Sequence, residues 1–216
     1  AFIKINNVPK KMKNAILAIE DRRFYQHKGV DAVGVGRAIV KNLAGASHEG
    51  ASTITMQVAR NFFLSSDRTL RRKISEIFLS YKIEKNLTKD QILELYINQI
   101  YLGQRAYGFG AASLVYYGKP LEKLTLAECA LLAGLPKAPS NYNPFTNSKR
   151  AIQRQHEVLK NMLRYEFIDQ KAFDDAMKQP LHFKESKQSR DLVADHASEM
   201  VRQVLFDQYK DDIYTS

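Results

Sequence analysis

The 216-residue sequence contains one cysteine, no tryptophan, six prolines and no long apolar run. The lone Cys129 rules out an intrachain disulfide framework and a cysteine-rich metal site, and it is compatible with either redox compartment. No stretch reaches the roughly 18 consecutive apolar residues of a membrane span, and the N-terminus lacks the apolar run of a signal peptide. A hydrophobic content of 44% with few prolines argues against disorder, and the length is ample for a core without disulfide staples. Ala1 to Val8 read like the middle of a protein, so an export or anchoring segment is expected upstream.

Acidic side chains are also few, 23 against 33 basic, for a net charge of +10. Residues 1–90 hold 17 basic and 8 acidic groups, whereas residues 181–216 hold 5 and 7. Such an excess suits either an anionic partner or a solvated basic face that maintains solubility. The acidic C-terminal piece reads as a separate element.

The local signals are helical. Pro9 sits in the first turn of a helix running to about Asp21, with Met12, Ile16, Leu17 and Ile19 in period. A second helix passes through Val33, Arg37 and Val40 and stops near Gly45, before a loop from Ala44 to Gly50. Ser52 or Thr53 caps a helix carrying Ile54, Val58, Ala59 and Phe62. Asp67 starts a long helix with an apolar stripe of Ile74, Ile77, Phe78 and Tyr81. Thr88 with Gln91, and Thr125 with Glu128, match the capping box at the head of two more. A helix through Ile152, Val158, Leu159 and Met162, a short one from Asp169 to Met177 and an amphipathic one from Leu192 to Tyr209 complete a mainly α chain. At most a short strand is expected at either end.

Three polar clusters have the residue types that chemistry needs. Glu20 to His27 puts a carboxylate beside arginines and a histidine, which suits a general base at a cleft rim or an ordinary solvated helix end. Residues 50–61, GASTITMQVARN, offer hydroxyls, close backbone approach, and Arg60 one turn beyond Gln57; they suit a phosphate site or simple helix capping. In residues 67–85, Arg68, Arg72 and Glu76 share one side of a helix, as an ion network or as a diphosphate site where Glu76 positions a metal or a cation. The sequence has no HExxH, GxGxxG, EF-hand, GxSxG, SxxK or P-loop pattern, and no helix-turn-helix, zinc-finger or RNP signature of nucleic-acid binding.

Read in order, EDRRFYQHKGVD (20–31), EGASTITMQVARN (49–61), RRKISEIFLSYKIEKNLTKDQILELYINQIYLG (71–103), AYGFGAASLVYYGKPLEKLTLAECALLAGLPKAPSNYNP (106–144) and RQHEVLKNM (154–162) closely resemble the peptidoglycan glycosyltransferase domain of bacterial class A penicillin-binding proteins. That resemblance implies a lysozyme-like helical head lobe with a smaller mobile jaw lobe at the membrane. It implies polymerisation of lipid II into β-1,4-linked glycan with inversion, on an undecaprenyl diphosphate carrier. It makes Glu20 the general base on the acceptor 4-hydroxyl and Glu76 the second catalytic glutamate, holding the diphosphate through a divalent cation (Mg or Mn) or neighbouring positive groups. Ser52, Thr53, Gln57, Arg60, Arg68, Arg72 and Lys73 become substrate-binding, with Asp21, Arg22, Phe24 and Asn98 in support. Ala51 stands where a second glycine is frequent, and Arg60 where many members have lysine.

The resemblance further implies a location on the periplasmic face of the bacterial inner membrane, held by the jaw and an upstream anchor, among other cell-wall synthesis proteins and without nucleic acid. Val33, Val35, Ile39, Val40 and Leu43, rimmed by Arg37 and Lys41, would supply the jaw's lipid contact. Residues 1–180 would form the glycosyltransferase domain, and residues 181–216 a link toward a transpeptidase. The alternatives are a lysozyme-like glycan-cleaving enzyme and a noncatalytic module that binds anionic lipid.

Overall fold

In the computed structural model, residues 2–43, 52–63 and 70–184 are described. The helices are α1 (Lys10–Glu20), α2 (Ala32–Leu43), α3 (Ile54–Phe63), α4 (Leu70–Asn86), α5 (Lys89–Gln99), α6 (Phe109–Tyr117), α7 (Leu126–Gly134), α8 (Ser148–Arg164) and α9 (Gln170–Lys178). Among the described residues the only β pairing is two isolated bridges, Lys28 with Val30 and Tyr101 with Tyr107. The mainly α expectation is met.

The core is built around α7. Thr125 accepts from the Glu128 backbone while the Glu128 side chain accepts from the Thr125 N–H, the reciprocal cap that starts the helix. Every residue from Ala127 to Gly134 is buried, and α1, α8, α6 and α9 all pack against it. Alanine-rich sequence makes that possible by letting four helices approach a thin one. Met12, Ile16, Leu132, Val158, Leu159 and Met162 are fully buried in the same core, each stabilising it by roughly 1.5–3 kcal/mol before entropy is counted.

Of the two caps expected before α3 it is Thr53 that accepts the Met56 N–H, the caps at Thr88 and Thr125 are present, and Asp169, where a helix was expected to begin, is itself the cap of α9. Helix α6 was not anticipated. It is apolar on every side, so it has no stripe to detect, and glycines bracket it: Gly108 at φ 82° opens it, and Gly118 at φ 66° closes it in the left-handed region. The α4 stripe is placed differently from expectation. Ile74, Phe78 and Tyr81 are exposed, whereas Glu76, Ser80, Ile83 and Leu87 are buried, because this helix turns its polar row toward the molecule's interior.

The N-terminal segment is fastened to α5. Asn98 accepts the Ile3 N–H at 2.8 Å and returns a bond to the Ile3 carbonyl at 2.9 Å, while Glu94 accepts the Ile5 N–H at 2.7 Å. Asn98 therefore supports the fold as a clamp. The Ala44–Gly50 loop, the helix start at Asp67, Arg68 and the 192–209 helix lie outside the described residues, as do the side chains of Ile39, Lys41 and Leu43. Among the described residues no helix is long and apolar enough to cross a membrane.

Candidate active site

Glu20 is the last residue of α1, and the turn after it is fixed by Asp21. The Asp21 carboxylate is buried and accepts the Ile54 N–H at the start of α3, at 3.0 Å. Both of its oxygens also lie 2.9 Å from His27 Nε2, in hydrogen-bond contact. A carboxylate at the positive end of α3 is favoured by the exposed N–H groups there. Through this contact the end of α1 is locked to the start of α3, and Glu20 is brought beside α3.

Thr53 reinforces the joint. Its hydroxyl donates to the Gly29 carbonyl and accepts the Met56 N–H, and the residue is buried. The donor of this hydroxyl and one of its acceptor positions are thus used by the fold. Phe24 is fully buried beneath the Lys89 ammonium at 4.4 Å, and the Arg22 guanidinium lies over the Tyr165 ring at 4.4 Å. These two act as supports for the turn that carries Glu20.

Gln57, one turn into α3, donates to Glu20 Oε2 at 2.8 Å. Burial pushes the Glu20 carboxyl above its ordinary value; the Gln57 bond and the charges of Arg154 and Arg60 oppose that rise, and Asp21 adds to it. The result is a carboxylate that accepts and holds a proton more readily than a solvated one.

Arg60, a further turn along α3, reaches a second cluster. Its guanidinium is 4.0 Å from Glu76 Oε1, and Arg72 approaches the same oxygen at 3.4 Å. Lys73 Nζ is 2.7 Å from Glu76 Oε2 and donates to Ser52 Oγ at 2.8 Å. Glu76 is fully buried, while Lys73 and Arg60 remain partly open to solvent. One carboxylate against three cations leaves a local charge of +2, which favours an anion. The residues present do not fit a metal held by Glu76. Three cations crowd its carboxylate, and no group of three or more histidine, cysteine or acidic residues gathers among the described residues.

The expected residues Glu20, Asp21, Ser52, Gln57, Arg60, Arg72, Lys73 and Glu76 thus come together in two linked groups. Two neighbours escaped the sequence reading. Arg154, first residue of the 154–162 motif, is buried on α8; it donates to Glu157 at 2.7 Å and to the Gly134 carbonyl at 3.4 Å, and its charge acts on Glu20. Tyr96 on α5 is also buried near Glu20, and its hydroxyl has no hydrogen-bond partner among the described residues. Both lay inside the quoted motifs, but residue type and spacing alone do not separate a buried arginine or tyrosine from a surface one.

A family model described as Transglycosylase matches residues 1–163. The chain is 54% identical to penicillin-binding protein 1A of Neisseria cinerea over 215 residues, covering 99% of this chain and 27% of that protein. It is 56% identical over 183 residues to a Cupriavidus necator protein provisionally named a transglycosylase, covering 85% of this chain and 79% of that one. The crystal structure of penicillin-binding protein 1A from Haemophilus influenzae superposes with a TM-score of 0.52 at 28% identity, covering 97% of this chain and 21% of that one. This chain therefore spans about a quarter of the length of the penicillin-binding proteins it matches. With a matching family model over most of its length, the chain belongs to the transglycosylase family.

Proposed function

We propose that the domain joins lipid II to a growing glycan on undecaprenyl diphosphate, with inversion at the donor's anomeric carbon, Glu20 as general base and the Arg60–Arg72–Lys73 cluster as the diphosphate site. The observation that carries this reading is the double contact of α3: Gln57 holds Glu20, and Arg60, three residues on, reaches Glu76. One helical turn thereby sets a proton acceptor at a fixed distance from a cationic site.

In the displacement, the acceptor's 4-hydroxyl oxygen bonds to the anomeric carbon as the bond from that carbon to the diphosphate oxygen breaks. The hydroxyl proton passes to Glu20, and the electron pair leaves with the diphosphate. Burial around Glu20 favours its taking the proton. Arg60, Arg72 and Lys73 neutralise charge that grows on the leaving group, and Glu76 keeps those three cations from repelling one another apart. Ser52, bonded to Lys73, fixes the ammonium toward the α3 start. Arg68 is assigned to the same diphosphate site on the resemblance alone.

The parent is read as a bifunctional penicillin-binding protein on the periplasmic face of the inner membrane, with residues 181–216 leading toward a transpeptidase. Exposed Val33 and Val40 on α2, and exposed Ile74, Phe78 and Tyr81 on α4, are the surfaces assigned to the bilayer, where apolar groups beside lysine and arginine bind anionic lipid headgroups. The test is polymerisation of labelled lipid II. The wild type should elongate it, and Glu20→Gln should remain folded and bind the lipid while making no polymer. Polymer at the wild-type rate would refute the assignment of Glu20, and cleavage of preformed glycan without use of lipid II would replace transfer by hydrolysis.

A further inference from the structure

Tyr96 occupies a position where phenylalanine would pack equally well. The residue is 1% exposed, its ring is tilted against Phe109 with centroids 6.4 Å apart, and it lies on α5, a helix that packs against α3. Its hydroxyl is buried and without a hydrogen-bond partner among the described residues. A buried, unsatisfied phenol is a standing penalty, and native folds satisfy nearly all such groups. The charged groups acting on this hydroxyl are Glu20, Arg60 and Asp21, which are the groups of the candidate site.

The hydroxyl is also held in its donating form. Burial pushes the phenol well above its ordinary value and the negative charge of Glu20 adds to the rise, so Tyr96 stays protonated throughout the range in which Glu20 titrates. A neutral donor that never titrates, set beside a carboxylate that does, can only favour the ionised form of that carboxylate.

We propose that Tyr96 is a positioning residue for Glu20, its hydroxyl donating to the Glu20 carboxylate, directly or through one water, once substrate fills the cleft. Among the described residues Glu20 has one hydrogen-bond donor, Gln57, and it is partly open to solvent. Bound sugar displaces that solvent, and loss of water would drive the carboxyl toward its neutral, non-basic form. A second protein donor replaces the lost water and keeps the carboxylate ionised and aimed at the acceptor hydroxyl. The remaining groups facing Glu20 are Arg154 from α8, Arg60 from α3 and the adjacent Asp21, none of which substitutes for a donor on the α5 side.

This inference rests on the reading of Glu20 as base, and the test separates the two. Polymerisation of labelled lipid II is followed against pH for the wild type, Tyr96→Phe and Glu20→Gln. The acid limb of kcat, which reports the substrate-loaded enzyme, should move up by about one pH unit in Tyr96→Phe. The limb of kcat/KM, which reports the free enzyme, should stay in place, and KM should change little at pH above both limbs. Thermal stability of Tyr96→Phe should equal or exceed that of the wild type, because the variant sheds an unsatisfied hydroxyl. Fluorotyrosine at position 96, a stronger donor, should move the kcat limb down. Superimposable kcat profiles for wild type and Tyr96→Phe would overturn the proposal, as would a loss of kcat by the same factor at every pH. Polymer formation by Glu20→Gln would instead remove the base reading beneath it.

Discussion

Replacing Glu76 with glutamine tests the reading of the cationic cluster most directly. The substitution preserves shape and removes one charge from a group of four. Lys73 at 2.7 Å alone attracts the carboxylate by about 6 kcal/mol at an effective dielectric near 20, before desolvation is subtracted. Breaking a buried pair by deleting one partner costs roughly 3–5 kcal/mol. Here the side chains of Lys73 and Arg60 are 41% and 36% exposed and regain water when the carboxylate is gone, whereas Arg72, at 18%, regains less. That places the loss for Glu76→Gln at about 2–3 kcal/mol. For a chain of 216 residues this corresponds to a fall in Tm of roughly 5–10 °C. Calorimetry and urea denaturation would measure it, and a double-mutant cycle would locate it: adding Lys73→Met to Glu76→Gln should destabilise little further, since the pair is already broken. The same variant should bind inorganic diphosphate more tightly than the wild type in titration calorimetry at matched salt, because the site's charge rises from +2 to +3. A Glu76→Gln protein as stable as the wild type would refute the compensated-cluster argument. Weaker diphosphate binding that depends on magnesium would return Glu76 to the role of a metal anchor.

Three further outcomes follow from the same structure. Burial raises the Glu20 carboxyl above its ordinary 4.5, so the folded chain retains a proton that the unfolded chain releases; stability then declines as pH rises from 4.5 through the folded value and stays lower above it. Glu20→Gln should accordingly be more stable than the wild type in urea at about pH 8 and no different at about pH 4 or below, and an equal gap at both would contradict the raised carboxyl. Gly134→Ala would place a Cβ 2.7 Å from the Arg154 Cγ, the stem of a side chain pinned at its far end, so overpacking of about 1–3 kcal/mol should outweigh the helix propensity gained from alanine; a stabilised variant in thermal melts would show that Arg154 moves freely. Cys129 is buried and its thiol is pushed up to about 12, so a thiol reagent at neutral pH should react only as fast as the chain unfolds, and rapid labelling of native protein would contradict the packing of α7.

What the sequence disclosed and what it withheld divide along physical lines. Caps are local: Thr88 and Thr125 carry their partners three residues away, so the starts of α5 and α7 could be read directly. Helix α6 could not, because a helix apolar all round, exposed Leu114 included, has no polar face to mark its period. The α4 stripe misled for the opposite reason: Ile74, Phe78 and Tyr81 are correctly spaced for a core, yet the core took the face bearing Glu76 and Ser80. Periodicity detects an apolar face without saying which way a tertiary contact turns it.

The site divides in the same manner. Gln57 and Arg60 belong to one turn, so their shared side of α3 followed from spacing alone. That Asp21 caps α3 through the Ile54 N–H, across 33 residues of sequence, did not. This long-range contact is the one that matters for mechanism. A helix rises about 4.5 Å in three residues, and that rise separates the side chain that holds Glu20 from the side chain that reaches Glu76. Because Asp21 adjoins Glu20 and anchors the same helix, any shift of α3 relative to α1 must break the Asp21 bond before the two groups can drift apart. The spacing between the proposed proton acceptor and the proposed diphosphate site is thus held in part by one buried carboxylate, a role that neither neighbouring motif carries by itself.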